Sequence, residues 1–259
     1  MNGEDLLVRF EDGILELVLN RPEKLNAFSE PMMQRLTTEL IHARVDDAVK
    51  VVVISGAGRA FSAGGDIASM DGAQPTEVYE HIGLLNRAVL AMTALPKPVI
   101  ASVQGFAAGA GFNLALASDL IVAADDAKFV MSFAQVGLTS DGGGHYFLPY
   151  LVGPHVAKEL LFLAEPLPAS RAYAYGIVNR LVPPAELAAE TTKLARRLAM
   201  GPSVALGQMK RLVDRAFQSS LAQMLEDEQT AQVLLTGSVD HREGVTAFGE
   251  KRQAKFQGR

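Results

Sequence analysis

Two glycine-rich segments hold the groups best placed to do chemistry, and they would do it with backbone amides. In Gly56-Ala57-Gly58-Arg59-Ala60-Phe61-Ser62-Ala63-Gly64-Gly65-Asp66, small side chains let a ligand approach main-chain N–H groups closely. Taken alone, this stretch reads equally well as a solvent-exposed turn. Gly105-Phe106-Ala107-Ala108-Gly109-Ala110-Gly111 follows a β-branched run and opens a helix, where the first amides lack partners and the dipole favours negative charge. Two amide-donating loops of this kind can converge on one oxygen. A third segment, Gly137-Leu138-Thr139-Ser140-Asp141-Gly142-Gly143-Gly144-His145, sets a carboxylate among glycines ahead of an apolar helical run. Asp141 is there either a helix N-cap or an acid/base held where few side chains crowd a substrate.

Other chemistries fit less well. The chain has no cysteine, so thiolate clusters, disulfides and cysteine nucleophiles are excluded, and its five histidines form no H-x-x-x-H pair. No metal is expected. Strand, G-x-x-x-G-x-G and helix is also how a dinucleotide-binding reductase could begin, but this motif starts only at Gly105. No Tyr-x-x-x-Lys follows it, since Tyr150 and Ile177 stand four residues after Tyr146 and Tyr173. A G-x-x-x-x-G-K-[ST] phosphate loop is absent as well.

The elements that must position these loops alternate. Ile14 to Leu19 reads as a strand stopped by Asn20-Arg21-Pro22, and residues 30–45 as a helix capped by Ser29 ahead of Pro31. Val51 to Ile54 and Val99 to Val103 are β-branched strands, separated by a helix across Glu77 to Leu95. Short strands at Leu120–Ala123 and Phe129–Met131 follow, and the order implies helices covering largely parallel, buried strands. Beyond residue 150 the pattern is helical, with Asn179 to Val182 the exception. Helices are expected over 186–200, 202–217, 220–235 and 242–252, with apolar faces suited to burial against a sister subunit.

Of the 259 residues, 49% are hydrophobic and 20% charged, enough for a substantial core. Lys and Arg number 24 against 29 Asp and Glu, a formal charge of −5, so no general attraction to nucleic acid or anionic lipid is expected. An anionic ligand must be met locally. Met1 to Phe10 carries Glu4 and Asp5 and lacks a secretion pattern, and the apolar runs stop short of the roughly 20 residues that cross a bilayer. A soluble, cytoplasmic protein is the expectation.

Several segments together carry a family resemblance. Asn20-Arg21-Pro22-Glu23-Lys24-Leu25-Asn26-Ala27, Gly58 to Asp66, Pro96-Lys97-Pro98-Val99-Ile100-Ala101, Gly105 to Asp119 and Glu243-Gly244 to Arg252 occur in one order. Jointly they resemble the crotonase, or enoyl-CoA hydratase/isomerase, superfamily. The resemblance implies an α/β fold, a spiral of ββα repeats over residues 1–200, and a C-terminal helical trimerisation region over 201–259. It implies a homotrimer or a dimer of trimers. It also implies an acyl-CoA substrate, with no cofactor beyond the coenzyme A thioester itself. The oxyanion amides carried over are those of Ala63 and Ala110, with Gly109 bordering the second. Lys24, Leu25, Ala63, Asp66 and Ile67 would border the adenine and pantetheine path, and Phe248 and Lys251 would reach coenzyme on a neighbouring subunit. Asp66 reads better as a loop-fixing residue than as a catalyst.

The resemblance also marks departures. Typical hydratases use two glutamates, and Asn113 and Phe133 occupy those positions here. Neither exchanges a proton, although Asn113, three residues after Ala110, could position a ligand or water. Asp141 is similar in place to the aspartate of the enoyl-CoA and ring-epoxide isomerases of phenylacetate degradation, which share Phe129-Val130-Met131, Gly137-Leu138 and Asp141-Gly142-Gly143-Gly144. One base suffices for isomerisation, with Phe133 keeping water out. A nucleophilic aspartate of the benzoyl-CoA dehalogenase type ranks lower because those relatives also carry a tryptophan, and this chain has none. His145, one helical turn beyond Asp141, reads either as a neighbour of it or as packed at the helix start, and His81 reads as solvated. A hydratase, or an acyl-CoA binder without catalysis, is the alternative.

Overall fold

A computed structural model of the chain describes residues 4–66, 72 and 74–259. Strands β1 (Leu6–Glu11), β2 (Ile14–Leu19), β3 (Val51–Gly56), β4 (Val99–Val103), β6 (Leu120–Ala124) and β9 (Arg180–Val182) form one sheet in that order. Only the β1–β2 hairpin is antiparallel. Strands β5 (Phe106–Ala108), β7 (Lys128–Val130) and β8 (Leu167–Pro168) form a second, small sheet.

The chain visits the sheets in turn. After β4 it adds β5 to the small sheet and then makes helix α3 (Ala110–Leu116); after β6 it adds β7 and then, past a 3₁₀ turn, makes α4 (Gly144–Leu163). An earlier turn does the same in outline: β3 is followed by a bridge from Ser62 to Ala107 and then by α2 (Pro75–Thr93). This is the expected ββα spiral. Val51 to Ile54 and all of β4 are buried, as strands covered on both faces must be.

Helix α1 (Glu30–Val45) starts where Ser29 Oγ accepts the Met32 amide and Pro31 fills the first turn; it buries Met32, Met33, Leu36 and Leu40. It packs beside α2, whose start is fixed by the Gln74 amide donating to Glu77 Oε2 at 2.9 Å. Helix α5 (Ala169–Ala174) leads to β9, and α6 (Leu187–Ala199) lies on the large sheet. Helices α7 (Ser203–Ala216), α8 (Leu221–Thr236) and α9 (Val239–Glu250) end the chain. Lys210 ties α7 to the core, donating to Met92 O at 2.9 Å and Asp119 Oδ2 at 2.8 Å.

The structure adds β1, β5 and β8 to the elements expected from sequence. It starts the last helix at Val239 and ends it at Glu250 instead of spanning 242–252. Among the described residues, no helix is long and apolar enough to cross a membrane, and no cluster of His, Asp or Glu is arranged to hold a metal.

Candidate active site

The loop between β2 and α1 sets the geometry of the first glycine segment. Leu25 and Asn26 both take left-handed backbone, with φ of 50° and 55°. Asn26 is fully buried; its Oδ1 accepts the Arg21 amide at 2.9 Å, and its Nδ2 donates to the carbonyls of Ala57 and Ala60, each at 2.8 Å. Its own carbonyl accepts the Ser62 hydroxyl at 2.8 Å, and Ser62 Oγ accepts the Gly64 amide at 3.0 Å. One asparagine thus holds residues 57–64 in place.

Gly64 brings the two glycine segments together. Its φ is +85°, and a methyl group there would lie 2.6 Å from Ala108 O and 2.8 Å from the Ala110 nitrogen, so only glycine fits. The Ala110 amide is the first of α3 and has no partner inside the helix. At Ala63 the structure corrects the expectation. The Ala63 amide donates to Leu25 O at 2.8 Å and is not available to a ligand. The Gly65 amide has no partner among the described residues, and a methyl group at Gly65 would meet open space. The available pair is Gly65 and Ala110. Sequence reasoning could not see that the left-handed turn at Leu25 aims a carbonyl at residue 63.

Asp141 lies under α3 and at the start of α4. Burial pushes its carboxyl above the usual carboxylate range, opposed by Asn113 and by the charge of His81 on α2. Its Oδ1 is buried without a hydrogen-bond partner among the described residues. An N-cap would spend that oxygen on the helix amides; here Gly143 is the N-cap and no side chain caps α4. Asn113, 0% exposed, donates Nδ2 to Ser140 Oγ at 2.9 Å and to Asp141 O at 2.8 Å. It therefore holds the aspartate's loop, where sequence reasoning gave it a ligand or water to position.

Phe133, on the 3₁₀ turn after β7, is half-buried, and its ring atoms would lie 3.7 and 3.9 Å from a methyl group at Gly109. It thus walls the entrance to α3 with an apolar face. His145 turns away to Thr139, 3.4 Å between Nε2 and Oγ1, and is exposed. His81, expected to be solvated, is half-buried and within electrostatic reach of Asp141.

At the mouth, Asp66 pairs with Lys24 at 3.1 Å and Arg21 at 3.4 Å. The hydrogen bond from Lys24 is the largest influence lowering its carboxyl. These pairs tie Asp66 to the segment at residues 21–24. Ile67 lies outside the described residues. Phe248, 88% exposed, and Lys251 lie on and just after α9.

A profile of the enoyl-CoA hydratase/isomerase family matches residues 9–259. The chain belongs to that family. Family relatives include the 1,2-epoxyphenylacetyl-CoA isomerase of Escherichia coli, 39% identical with 99% of each chain covered. The crotonyl-CoA hydratase of Syntrophomonas wolfei is 35% identical, again with 99% of each chain covered. Among solved family structures, an enoyl-CoA hydratase from Polaromonas sp. superposes with a TM-score of 0.94 at 34% identity, covering 97% of this chain and 99% of that one. The crotonase fold and the acyl-CoA substrate class of the family follow from these matches, whereas the names of the relatives divide between isomerase and hydratase.

Proposed function

We propose that the protein is an enoyl-CoA isomerase that shifts a double bond with Asp141 as its single acid/base. The observation carrying this reading is the unpaired, buried Oδ1 of Asp141, raised in basicity by desolvation, in a site where the two other candidate positions hold Asn113 and Phe133. The thioester oxygen accepts hydrogen bonds from Gly65 and Ala110, whose amides are preorganised for the charge that develops there. Asp141 takes a proton from the carbon next to the thioester carbonyl of a β,γ-unsaturated chain. The electron pair delocalises as a dienolate, and the same carboxylic acid returns the proton two carbons further on. Phe133 excludes water that would quench the intermediate.

Lys24 and the cations of the tail, Lys251, Arg252, Lys255 and Arg259, are proposed to meet the coenzyme phosphates, the tail acting across a subunit boundary in a trimer or a dimer of trimers. Arg252 is also engaged with Glu243 at 2.6 Å and Glu250 at 2.6 Å, which leaves Lys251 and Lys255 the better candidates. A cytoplasmic location fits this substrate. Hydration is the second reading, supported by hydratase relatives; it would need a second carboxylate that neither 113 nor 133 supplies.

Incubation with 3-hexenoyl-CoA and 2-hexenoyl-CoA in deuterated water tests this. The isomerase interconverts them with label uptake, a hydratase yields 3-hydroxyhexanoyl-CoA, and a binder yields neither. Asp141→Asn is expected to lower turnover by at least about a hundredfold. A variant as fast as the parent would refute the mechanism.

A further inference from the structure

The two amide-bearing segments run side by side, joined by a short ladder that starts at Gln104, the residue after β4. The Gln104 carbonyl accepts the Phe61 amide at 2.9 Å, the Phe106 carbonyl accepts the Ser62 amide at 3.1 Å, and the Ser62 carbonyl accepts the Ala108 amide at 2.9 Å. The ladder leads to Gly65 on one segment and to Ala110 on the other. At its start, residues 56–60 make a tight turn whose carbonyls face inward. Those of Gly56, Gly58 and Ala60 converge on Gln104 Nε2 at 2.5, 3.3 and 3.4 Å. Asn26 holds the same turn from the other side, through the carbonyls of Ala57 and Ala60. Gly105, with φ of +57°, lies so close to the Arg59 carbonyl that a methyl group would collide with it. The Gln104 side chain is half-buried and, with Gly56 and Ser102, lines a cavity of about 500 Å³ between the large sheet and α6. Its shape is therefore not part of the packed core.

We propose that Gln104 is a positioning residue for activation of the thioester: by holding the 56–60 turn closed, its side-chain amide sets where the Gly65 N–H stands relative to that of Ala110. The inference rests on the reading of those two amides as the donors to the thioester oxygen. Carbonyls aimed at one point repel one another unless a donor lies between them, so without Nε2 the turn opens and the backbone leading to Gly65 moves. Helix α3, all of whose residues are buried, keeps Ala110 in place. The pair then fits the developing oxyanion less well. A displacement of about 1 Å in such a donor costs the transition state far more than the bound substrate, because the charge that the donor meets is developed only there.

The test reads the thioester carbonyl itself and needs no turnover. Hexanoyl-CoA carrying ¹³C at its carbonyl carbon is bound to the full chain, and isotope-edited infrared difference spectra give the C=O stretching frequency. The parent is expected to lower that frequency from its value in water. Gln104→Met keeps the length of the side chain and removes the donor, and it should lose the greater part of the shift. Gln104→Lys returns a donor to the same carbonyls and should recover it. With 3-hexenoyl-CoA, Gln104→Met is expected to lower kcat about tenfold to a hundredfold while KM stays within about twofold of the parent's. A merely structural role would lower the melting temperature of both variants and leave the bound frequency unmoved. Should Gln104→Met fail to fold, Gln104→Glu, which also lacks the donor, carries the same reading. A parental frequency and a parental kcat in the donorless variant would overturn this inference and leave Asp141 as the base. A parent that leaves the frequency at its value in water would overturn the Gly65 and Ala110 pair as well. Asp141→Asn should keep the parental frequency, so a failure of the base assignment, seen as full activity in that variant, is read separately.

Discussion

Two aspartates in this protein are displaced in opposite directions, and the signs have separable consequences. Asp141 is raised by desolvation, so its folded form keeps its proton where the unfolded chain has lost it. Its contribution to stability is present below the unfolded value and is lost as pH rises through the folded one. Asp141→Asn should therefore melt about 2–4 °C above the parent at pH 7, a difference that closes below about pH 3.5, as calorimetry across pH would show. Asp66 is lowered, chiefly by its bond from Lys24, so its contribution is present at neutral pH and fades as pH falls through the folded value. Lys24 is half exposed, and Asp66→Asn is expected to cost no more than about 1 kcal/mol at pH 7 in urea titrations. Sequence reasoning could locate Asp141 through its glycine setting and Asp66 through its loop. It chose the Ala63 amide, because the bond from that amide to Leu25 O joins segments far apart in sequence.

At the scale of elements, the turn at residues 20–28 holds the first glycine segment through Asn26 and the Leu25 carbonyl. Asn26→Ala removes the donor shared by the Ala57 and Ala60 carbonyls and the acceptor for Arg21. It is expected to lower stability by about 2–4 kcal/mol and to raise KM along with lowering kcat, as denaturant titration and steady-state kinetics would register. The elements legible in sequence were those with strong local signals: α1 with its Ser29 cap, and β3 and β4 with uninterrupted apolar runs. Strand β1 was missed because it is an edge strand with Arg9, Phe10 and Glu11 exposed, so burial imposes little pattern on it. Strands β5 and β8, three and two residues long, carry too few positions for any periodicity.

At the scale of the whole molecule, α7 to α9 leave Met209, Val213, Leu221, Leu225, Val233 and Val245 exposed in a single chain. Apolar surface of this extent suits a subunit interface. Sedimentation velocity is expected to give a species of three or six chains, and Val213→Glu to shift it toward smaller ones. A parent that sediments as a monomer at micromolar concentration would rule out the proposed assembly.

The helix that begins at Ala110 has a further consequence. All seven of its residues are buried, and the group it offers is main chain. Of the single exchanges at Ala110, only proline deletes that donor, whereas the side chains at 113, 133 and 141 are each replaced outright by any substitution. In the proposed mechanism, electrophilic activation is thus carried by the scaffold, while the fate of the activated thioester is open to revision one codon at a time.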